Sequence, residues 1–596
     1  MDHQIAPAFP YRELIGPDIR MLRVRPGEPG SPIECWLYQV PLSGDLEYNA
    51  LSYVWGNPDV RLPIDVNGHT VGITLNLYDT LDRLRSSIAG FTEKYLWVDA
   101  ICIHQADIRE KERQIPRMAE IFRLATNVLG WLGPLHTSED GDVELIFAGA
   151  ARFAKSLEVL DGFPYKSLRE FNQLRYQWAH VVSLPHSFAS SFQRVRPTLE
   201  ALVRRPWFER VWIVQETCLP QYPPILCVGR HSIESRSLYS LCKALGASSL
   251  RFSCRCSPFV DLMETRDRYR LFIEPRAAQM GRPSYVLLQI LLTKFPAEAA
   301  DPRDHVYGYL GLCDFGDYGG VPDSLRPNYR KQFQRVWYDA AVHLITETGD
   351  LRILSCVGPR LSGLPSWVPD FRWLMQVSRF EPFTDTNSVR LSGDGTELSV
   401  KGVRLGVCQA VIPDAADPGL GQGVDDWLRD RVNIVEDAFI TISRTCQKGN
   451  TDILRWYEVL FGTDAQESRA HYVNARALYE AIRKGSRGYH VQNPSVDSWD
   501  DSTRSEAVHN LSMVLMNGFV ITSDYNIAKI GPSRLPLRGD LICLFLGSST
   551  PSIIRSCGTK YELVDSCIFG FGGDEDQPAS SQLFWSQQAL EEFILV

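Results

Sequence analysis

The chain has 596 residues, 44% of them hydrophobic and 22% charged, which is enough for roughly two to four globular domains without disulfides or metals. Its formal net charge of −9 argues against a nucleic-acid partner, which would require a basic surface. No apolar run approaches the ~20 residues that span a bilayer, the first residues do not form a signal peptide, and the scattered cysteines fit a reducing compartment. We therefore expect a cytoplasmic protein without a membrane span.

A β-hairpin is predicted at residues 19–42, where two alternating apolar runs flank a segment rich in proline and glycine. We assign this hairpin to an N-terminal extension that covers residues 1–46. A second, shorter hairpin is predicted at residues 63–73.

Apolar strands and amphipathic helices alternate in the part of the chain that follows. Strands are predicted at residues 48–55, 95–101 and 127–132, and helices at residues 75–85 and 107–124. Asn76 is expected to cap the first helix, and Pro116 is expected to delay or kink the second. This alternation predicts an α/β fold with a doubly wound parallel sheet.

The remaining chain is divided by pattern. A helix is predicted at residues 208–216, and it follows an insertion at residues 134–205 that is mostly helical. We assign residues 47–230 to one α/β domain, residues 231–384 to a mainly helical region, and residues 385–596 to a mixed α+β region rich in short strands. Within that last region a helical stretch is expected at about residues 424–486.

Polar and aromatic side chains follow the predicted strands where each strand ends. They are Tyr53, Trp55 and Gly56 after the first strand, Asp99 and Gln105 after the second, and Trp212 and Glu216 on the helix after the third. Ligands bind at the carboxyl ends of strands in open parallel sheets, so these residues are expected to meet at one crevice. Ser52 lies in no GxSxG motif that would mark it as a nucleophile.

Four blocks of this sequence resemble the fungal heterokaryon-incompatibility (HET) domain, in order and in approximate spacing. They are Tyr48-Asn-Ala-Leu-Ser-Tyr-Val-Trp-Gly56, Leu96-Trp-Val-Asp-Ala-Ile-Cys-Ile-His-Gln105, Glu112-Arg-Gln114 and Arg205-Pro-Trp-Phe-Glu-Arg-Val-Trp-Ile-Val-Gln-Glu216. Residues 301–311, 364–370 and 538–540 resemble the region that often follows this domain. The sequence departs from the family at His104, where asparagine is usual, and at Pro116. The resemblance implies a part in self/non-self recognition or regulated cell death.

HET domains in turn resemble TIR domains, and Trp212 and Glu216 are similar to the Trp-x-x-x-Glu of TIR modules. That resemblance implies a TIR-like sheet and makes Glu216 the candidate catalytic carboxylate of an NAD glycohydrolase. Cleavage of the ribosyl–nicotinamide bond builds an oxocarbenium-like cation, which a nearby carboxylate stabilises. Tyr53, Trp55, Gly56, Asp99, Gln105 and Trp212 are the candidate ligand-binding residues.

Structural alternatives stand beside these functional interpretations. Glu216 is also expected to pair with an arginine, namely Arg210, Arg205 or Arg113. Asp99 is equally explained as the cap of a turn, Gln105 as a partner of loop backbone, and the tryptophans as core side chains.

Three functions remain open. The first is a signalling protein that acts by self-association or through another signalling protein. The second is an NAD glycohydrolase that is switched on by assembly. The third is an allorecognition receptor in which residues 235–596 bind a partner and restrain the N-terminal domain. No cofactor is required, NAD is a possible substrate, and no metal site is predicted.

Overall fold

The computed structural model divides the chain into two compact units, Met1–Val336 and Trp337–Val596. It describes residues 10–87, 93–157, 186–247, 257–293, 297–316, 320–355, 361–372, 382–414, 426–435, 477–480, 518–522, 527–530, 535–569 and 588–596, with single positions at 482, 511, 515 and 586.

The first unit contains a mixed sheet that runs in the order β5-β4-β2-β1-β6-β3-β7-β8-β9. Its strands are β1 (Asp18–Val24), β2 (Glu34–Pro41), β3 (Tyr48–Tyr53), β4 (Arg61–Val66), β5 (His69–Thr74), β6 (Tyr95–Trp97), β7 (Asn127–Trp131), β8 (Ile225–Val228) and β9 (His231–Glu234). Both predicted hairpins are confirmed, since β1 pairs with β2 and β4 with β5, each antiparallel.

The centre of this sheet is parallel. Strand β3 lies between β6 and β7, and β8 lies beside β7, with all three pairings parallel. The four strands β6-β3-β7-β8 therefore stand in the chain order 2-1-3-4. Every residue of β3 is buried, as expected of a parallel strand that is covered on both faces. The sheet as a whole is mixed rather than parallel, because β1 joins β6 antiparallel and β9 joins β8 antiparallel.

Helices surround the first sheet and continue beyond it. They are α1 (Leu75–Ser87), α2 (Asp99–Cys102), α3 (Ile108–Gln114), α4 (Met118–Leu124), α5 (Asp140–Leu157), α6 (His186–Leu202), α7 (Ile213–Cys218), α8 (Ser235–Ala247), α9 (Pro258–Arg268), α10 (Glu274–Met280), α11 (Pro283–Thr293), α12 (Asp304–Leu310) and α13 (Phe333–Thr348). The ends of the predicted helical insertion are α5 and α6, and residues 158–185 lie outside the described residues.

Local structure differs from the sequence prediction at three positions. Strand β6 ends at Trp97 rather than at residue 101, because the backbone N–H groups that follow turn back to the Val98 carbonyl and start α2. Asn76 does not cap α1, since it lies inside the first turn and its side chain donates to the Val54 carbonyl. The helix predicted at residues 208–216 is instead a 3-10 turn, Pro206–Glu209, followed by the short α7.

The effect predicted for Pro116 is confirmed. Helix α3 ends before it and α4 begins after it, so the ring separates two helices. Proline lacks the N–H that a continuous helix would need at that position.

In the second unit, six strands close into a ring in the order β11-β12-β13-β16-β15-β14, and β14 pairs back to β11. The strands of this unit are β10 (Val389–Leu391), β11 (Leu398–Ile412), β12 (Gly518–Thr522), β13 (Ile527–Ile530), β14 (Leu541–Phe545), β15 (Ser552–Cys557), β16 (Lys560–Phe569) and β17 (Glu591–Leu595). The predicted short strands are thus present after residue 385. Of the predicted stretch 424–486, residues 426–435 and 477–480 are helical, and 424–425 and most of 436–486 lie outside the described residues.

Candidate functional site

The site is built at the carboxyl ends of β3 and β6, which lie side by side in parallel. Ser52 and Tyr53 are the last residues of β3, and Asp99 begins α2 directly after β6. Because the strands run in the same direction, these side chains emerge at the same edge of the sheet. The predicted convergence of the first two strand ends is therefore present in the structure.

Glu216 lies on α7 and is only 4% exposed. Its Oε2 accepts a hydrogen bond from the Ser52 hydroxyl, and that hydroxyl in turn accepts one from Trp207 Nε1 at 2.9 Å. The indole, the hydroxyl and the carboxyl thus form one buried chain of hydrogen bonds. Burial raises the pKa of Glu216 above its ordinary value, an effect that nearby Arg210 and the Ser52 hydrogen bond oppose.

Asp99 accepts hydrogen bonds from two aromatic side chains at this edge of the sheet. Its Oδ2 accepts from Trp55 Nε1 at 2.9 Å, its Oδ1 accepts from the Ala100 N–H at 2.7 Å, and the Tyr53 hydroxyl also donates to it. Burial raises the pKa of Asp99, and Arg210 together with these donors partly offsets the rise. Trp55 is 38% exposed, so this part of the cluster reaches the surface.

The charge of Arg210 acts on both carboxyl groups. Its guanidinium donates to the Tyr53 carbonyl, and its charge lowers the pKa of both Asp99 and Glu216. Burial outweighs that charge at both groups, and Asp99 further raises the pKa of Glu216. The charge of one arginine therefore acts on two buried carboxyl groups. Burial thus shifts the protonation equilibrium of Glu216 towards the neutral form, and Arg210 and Ser52 act in the opposite direction.

Gln105 and Gly56 shape the loops of the site. Gln105 Nε2 donates to the Asp99 carbonyl at 2.7 Å, which ties the loop after α2 to its start. Gly56 has φ +73°, a left-handed conformation that a side chain disfavours, where the chain turns after β3. In this structure, therefore, Gln105 hydrogen-bonds to the backbone and Gly56 allows the backbone to turn.

Trp212 points to another part of the molecule. Its Nε1 donates to Asp304 Oδ2 at 3.0 Å, and the Tyr329 hydroxyl donates to Asp304 Oδ1 at 2.7 Å. Burial raises the pKa of Asp304. Trp212 and Glu216 are therefore four residues apart but have different partners.

The site also depends on residues downstream of residue 230, which the sequence alone did not indicate. Besides Asp304, the backbone of Glu298 bridges to the chain before α7, where its carbonyl accepts from the Val211 N–H at 2.9 Å. Gly308 packs so closely on Val211 that a Cβ there would lie 2.4 Å from Val211 Cγ1. The only signal in the sequence was the resemblance at residues 301–311, to which no chemistry was attached.

His104, Asp107 and Glu110 bring three possible metal ligands within 4.8 Å of one another. Both Glu110 oxygens already accept from Arg20, at 2.6 and 2.9 Å, and one of them also accepts from the His104 N–H. Asp107 caps α3 through the N–H groups of its first turn. These carboxylate oxygens already accept hydrogen bonds from N–H groups of the protein itself, so we assign no metal to these three residues.

Comparison with known proteins places this site in a family context. Residues 48–216 match the family model described as "Heterokaryon incompatibility protein (HET)". This segment is HET-like. The chain is also 25% identical over 475 residues to the "Heterokaryon incompatibility protein 6, OR allele" of Neurospora crassa, a match that covers 69% of this chain and 66% of that protein. The chain therefore spans slightly less than two thirds of this relative's length.

No solved structure matches the chain. Within the described ranges, no helix is both long and apolar enough to cross a membrane. The chain is thus similar to heterokaryon incompatibility proteins in two comparisons, one over residues 48–216 and one over 475 residues.

Proposed function

We propose that this chain acts in heterokaryon incompatibility, as a signalling protein of self/non-self recognition. The observation that carries the proposal is the similarity to the Neurospora protein, which extends over 475 residues and thus well beyond the HET-like segment 48–216. In this proposal the HET-like segment acts as a TIR-like module that associates with a second copy or with another signalling protein.

The arrangement of the parallel strands supports the TIR-like part of the proposal. The order 2-1-3-4 is the start of the doubly wound order 2-1-3-4-5, in which function is concentrated at the carboxyl ends of the strands. At that edge Trp55 is exposed while the acids behind it are held by the hydrogen bonds of the protein. An exposed indole on a rigid base suits a contact with another protein.

The proposal is tested by introducing the full chain into a fungal strain and scoring the incompatibility reaction and cell death in paired cultures. Trp55→Ala is expected to abolish the reaction, because it removes the exposed side chain at the functional edge. Trp36→Ala is the matched control, since Trp36 is a similarly exposed tryptophan on β2 of the same sheet, at 43% against 38%. Retention of the reaction in Trp55→Ala, or equal loss in both variants, would contradict the proposed surface.

The NAD glycohydrolase alternative stays a prediction of the resemblance. Stabilising an oxocarbenium-like cation requires a carboxylate that can reach the sugar, whereas Glu216 is only 4% exposed and its carboxyl already accepts a hydrogen bond from Ser52. We therefore expect purified protein at high concentration to release no nicotinamide from NAD above background. Release that disappears in Glu216→Gln, with the fold intact, would establish the enzyme instead.

A further inference from the structure

A cavity beside α7 lies apart from the candidate site, since Ser52, Asp99 and Glu216 do not line it. It has a volume of about 270 Å³, is partly open to solvent, and is lined by α4, α7 and the chain around α12. Trp212, Gln215, Tyr307 and Phe315 form much of its lining. Two of these residues belong to the HET-like segment and two lie beyond it, so any occupant would contact both.

Gln215 is the polar group of this cavity. Its side chain is 2% exposed, and its Nε2 has no hydrogen-bond partner among the described residues. Gly311 leaves the room that the amide occupies, because a Cβ at that position would lie 2.4 Å from Gln215 Oε1. A buried amide without a partner is costly, so a ligand that pairs with it gains the hydrogen bond without displacing another protein group.

The form of the amide indicates what that ligand must offer. The Gln215 side chain ends in a donor and an acceptor side by side, so a partner with a complementary acceptor and donor pairs with it most completely. An amide or lactam edge has this property. The rest of the lining is mainly apolar or aromatic, which suits the ring of a planar molecule.

The size of the cavity and the charges around it further restrict the class of ligand. A volume of 270 Å³ corresponds to roughly nine waters at about 30 Å³ each, enough for one small fused-ring molecule. The exposed charged residues around the cavity are Glu120, Arg123 and Asp314, which together carry a net negative charge and disfavour an anion. We propose that this cavity binds a small, neutral, planar molecule with an amide or lactam edge, which Gln215 hydrogen-bonds and Trp212 packs against.

The test uses two probes that differ at this edge: 2-quinolone, a lactam, and quinoline, which lacks the amide. Their binding to the full chain is measured by calorimetry and by saturation-transfer NMR. We expect 2-quinolone to bind at least tenfold more tightly than quinoline, and we expect Gln215→Leu to remove this difference. Equal binding of the two probes, or no binding of 2-quinolone at millimolar concentration, would overturn the proposal.

Gln289→Leu is the matched control, because Gln289 is a second buried glutamine with an unpaired Nε2 and does not line this cavity. It should leave the preference for 2-quinolone unchanged, and an equal effect of the two leucine variants would refute the assignment. If Gln215→Leu does not fold, Ala119→Met decides, since it fills the cavity from α4 while the amide remains. Ala119→Met should abolish binding of 2-quinolone, and unchanged binding would count against this location.

Discussion

Replacing Ser52 by alanine tests the buried chain of hydrogen bonds directly. The hydroxyl has two partners, the Trp207 indole N–H and the Glu216 carboxyl, and the substitution leaves both unpaired. Each buried group without a partner costs about 1–3 kcal/mol. Ser52 is 2% exposed and Glu216 is 4% exposed, so solvent does not replace the hydroxyl. We expect a loss of about 2–5 kcal/mol in the free energy of unfolding of this region, relative to the wild type.

Because the chain has two compact units, the assay must report on the first unit alone. Native-state hydrogen exchange, followed by mass spectrometry of peptides from β3 and α7, gives the free energy of opening at the site. Ser86→Ala is the control, since Ser86 is exposed at the end of α1 and should change that free energy by no more than about 0.5 kcal/mol. A loss in Ser52→Ala as small as that of the control would refute the proposed role of the hydroxyl.

Four further predictions follow from the same contacts. Burial raises the pKa of Glu216 above 4.5, so the folded chain keeps a proton that the unfolded chain loses. The free energy of unfolding should therefore fall as the pH rises from about 4.5 through the pKa of the folded state. Glu216→Gln should reduce this fall, measured as the urea midpoint at each pH. Asp304→Ala should lower the free energy of unfolding by about 2 kcal/mol more than Asp304→Asn, whose oxygen can accept from Trp212 and whose NH2 can donate to the Tyr329 hydroxyl. Equal losses would argue against those bonds. A fragment of residues 1–336 should unfold cooperatively in calorimetry and a fragment of residues 1–230 should not, because the shorter one lacks Asp304; two similar transitions would contradict this. Arg266→Met should destabilise the first unit by about 3 kcal/mol or more by urea unfolding, since Arg266 donates to four backbone carbonyls at and after the end of α7; a loss below about 1 kcal/mol would be inconsistent with that role.

Three of the four central strands, β3, β6 and β7, could be predicted from the sequence because each one is a largely apolar run, whereas β8 was not predicted. Strand β3 is the clearest case, since all of its residues are buried. The attachment of the N-terminal hairpin could not be predicted in this way. It depends on the pairing of Leu22 with Leu96, and the periodicity of one strand does not specify its neighbour in a sheet.

The hydrogen-bond partner of Glu216 also could not be predicted from the sequence. The charge pattern suggested an arginine, and Arg210 does lie near enough to lower the pKa of Glu216, but its hydrogen bond goes to the Tyr53 carbonyl. The hydrogen-bond partner of Glu216 is Ser52, which stands 164 residues earlier in the chain. A serine in an apolar strand gives no sequence signal of this kind, because its role exists only after β3 and α7 have come together.

Contacts between residues close in the chain are easier to predict than distant ones. Arg303 pairs with Asp301 two residues earlier, and the same contact recurs between Asp350 and Arg352. In both turns the aspartate also accepts from the backbone N–H of the arginine. Spacing along the chain suffices for such contacts, whereas the bond from Trp212 to Asp304 spans 92 residues and depends on the tertiary fold.

The end of the HET-like segment at residue 216 is not a structural boundary. It falls inside α7, whose six residues are all buried and which is too short to be stable as an isolated helix. Ser52 holds it on one side, while Asp304 binds the Trp212 cap on the other, and Arg266 binds carbonyls at and beyond its C-terminal end. Two of these three supports lie outside the matched segment. A change in the chain around α12 therefore acts on the same helix that positions Glu216, and the folding unit of the site extends beyond the segment that carries the family resemblance.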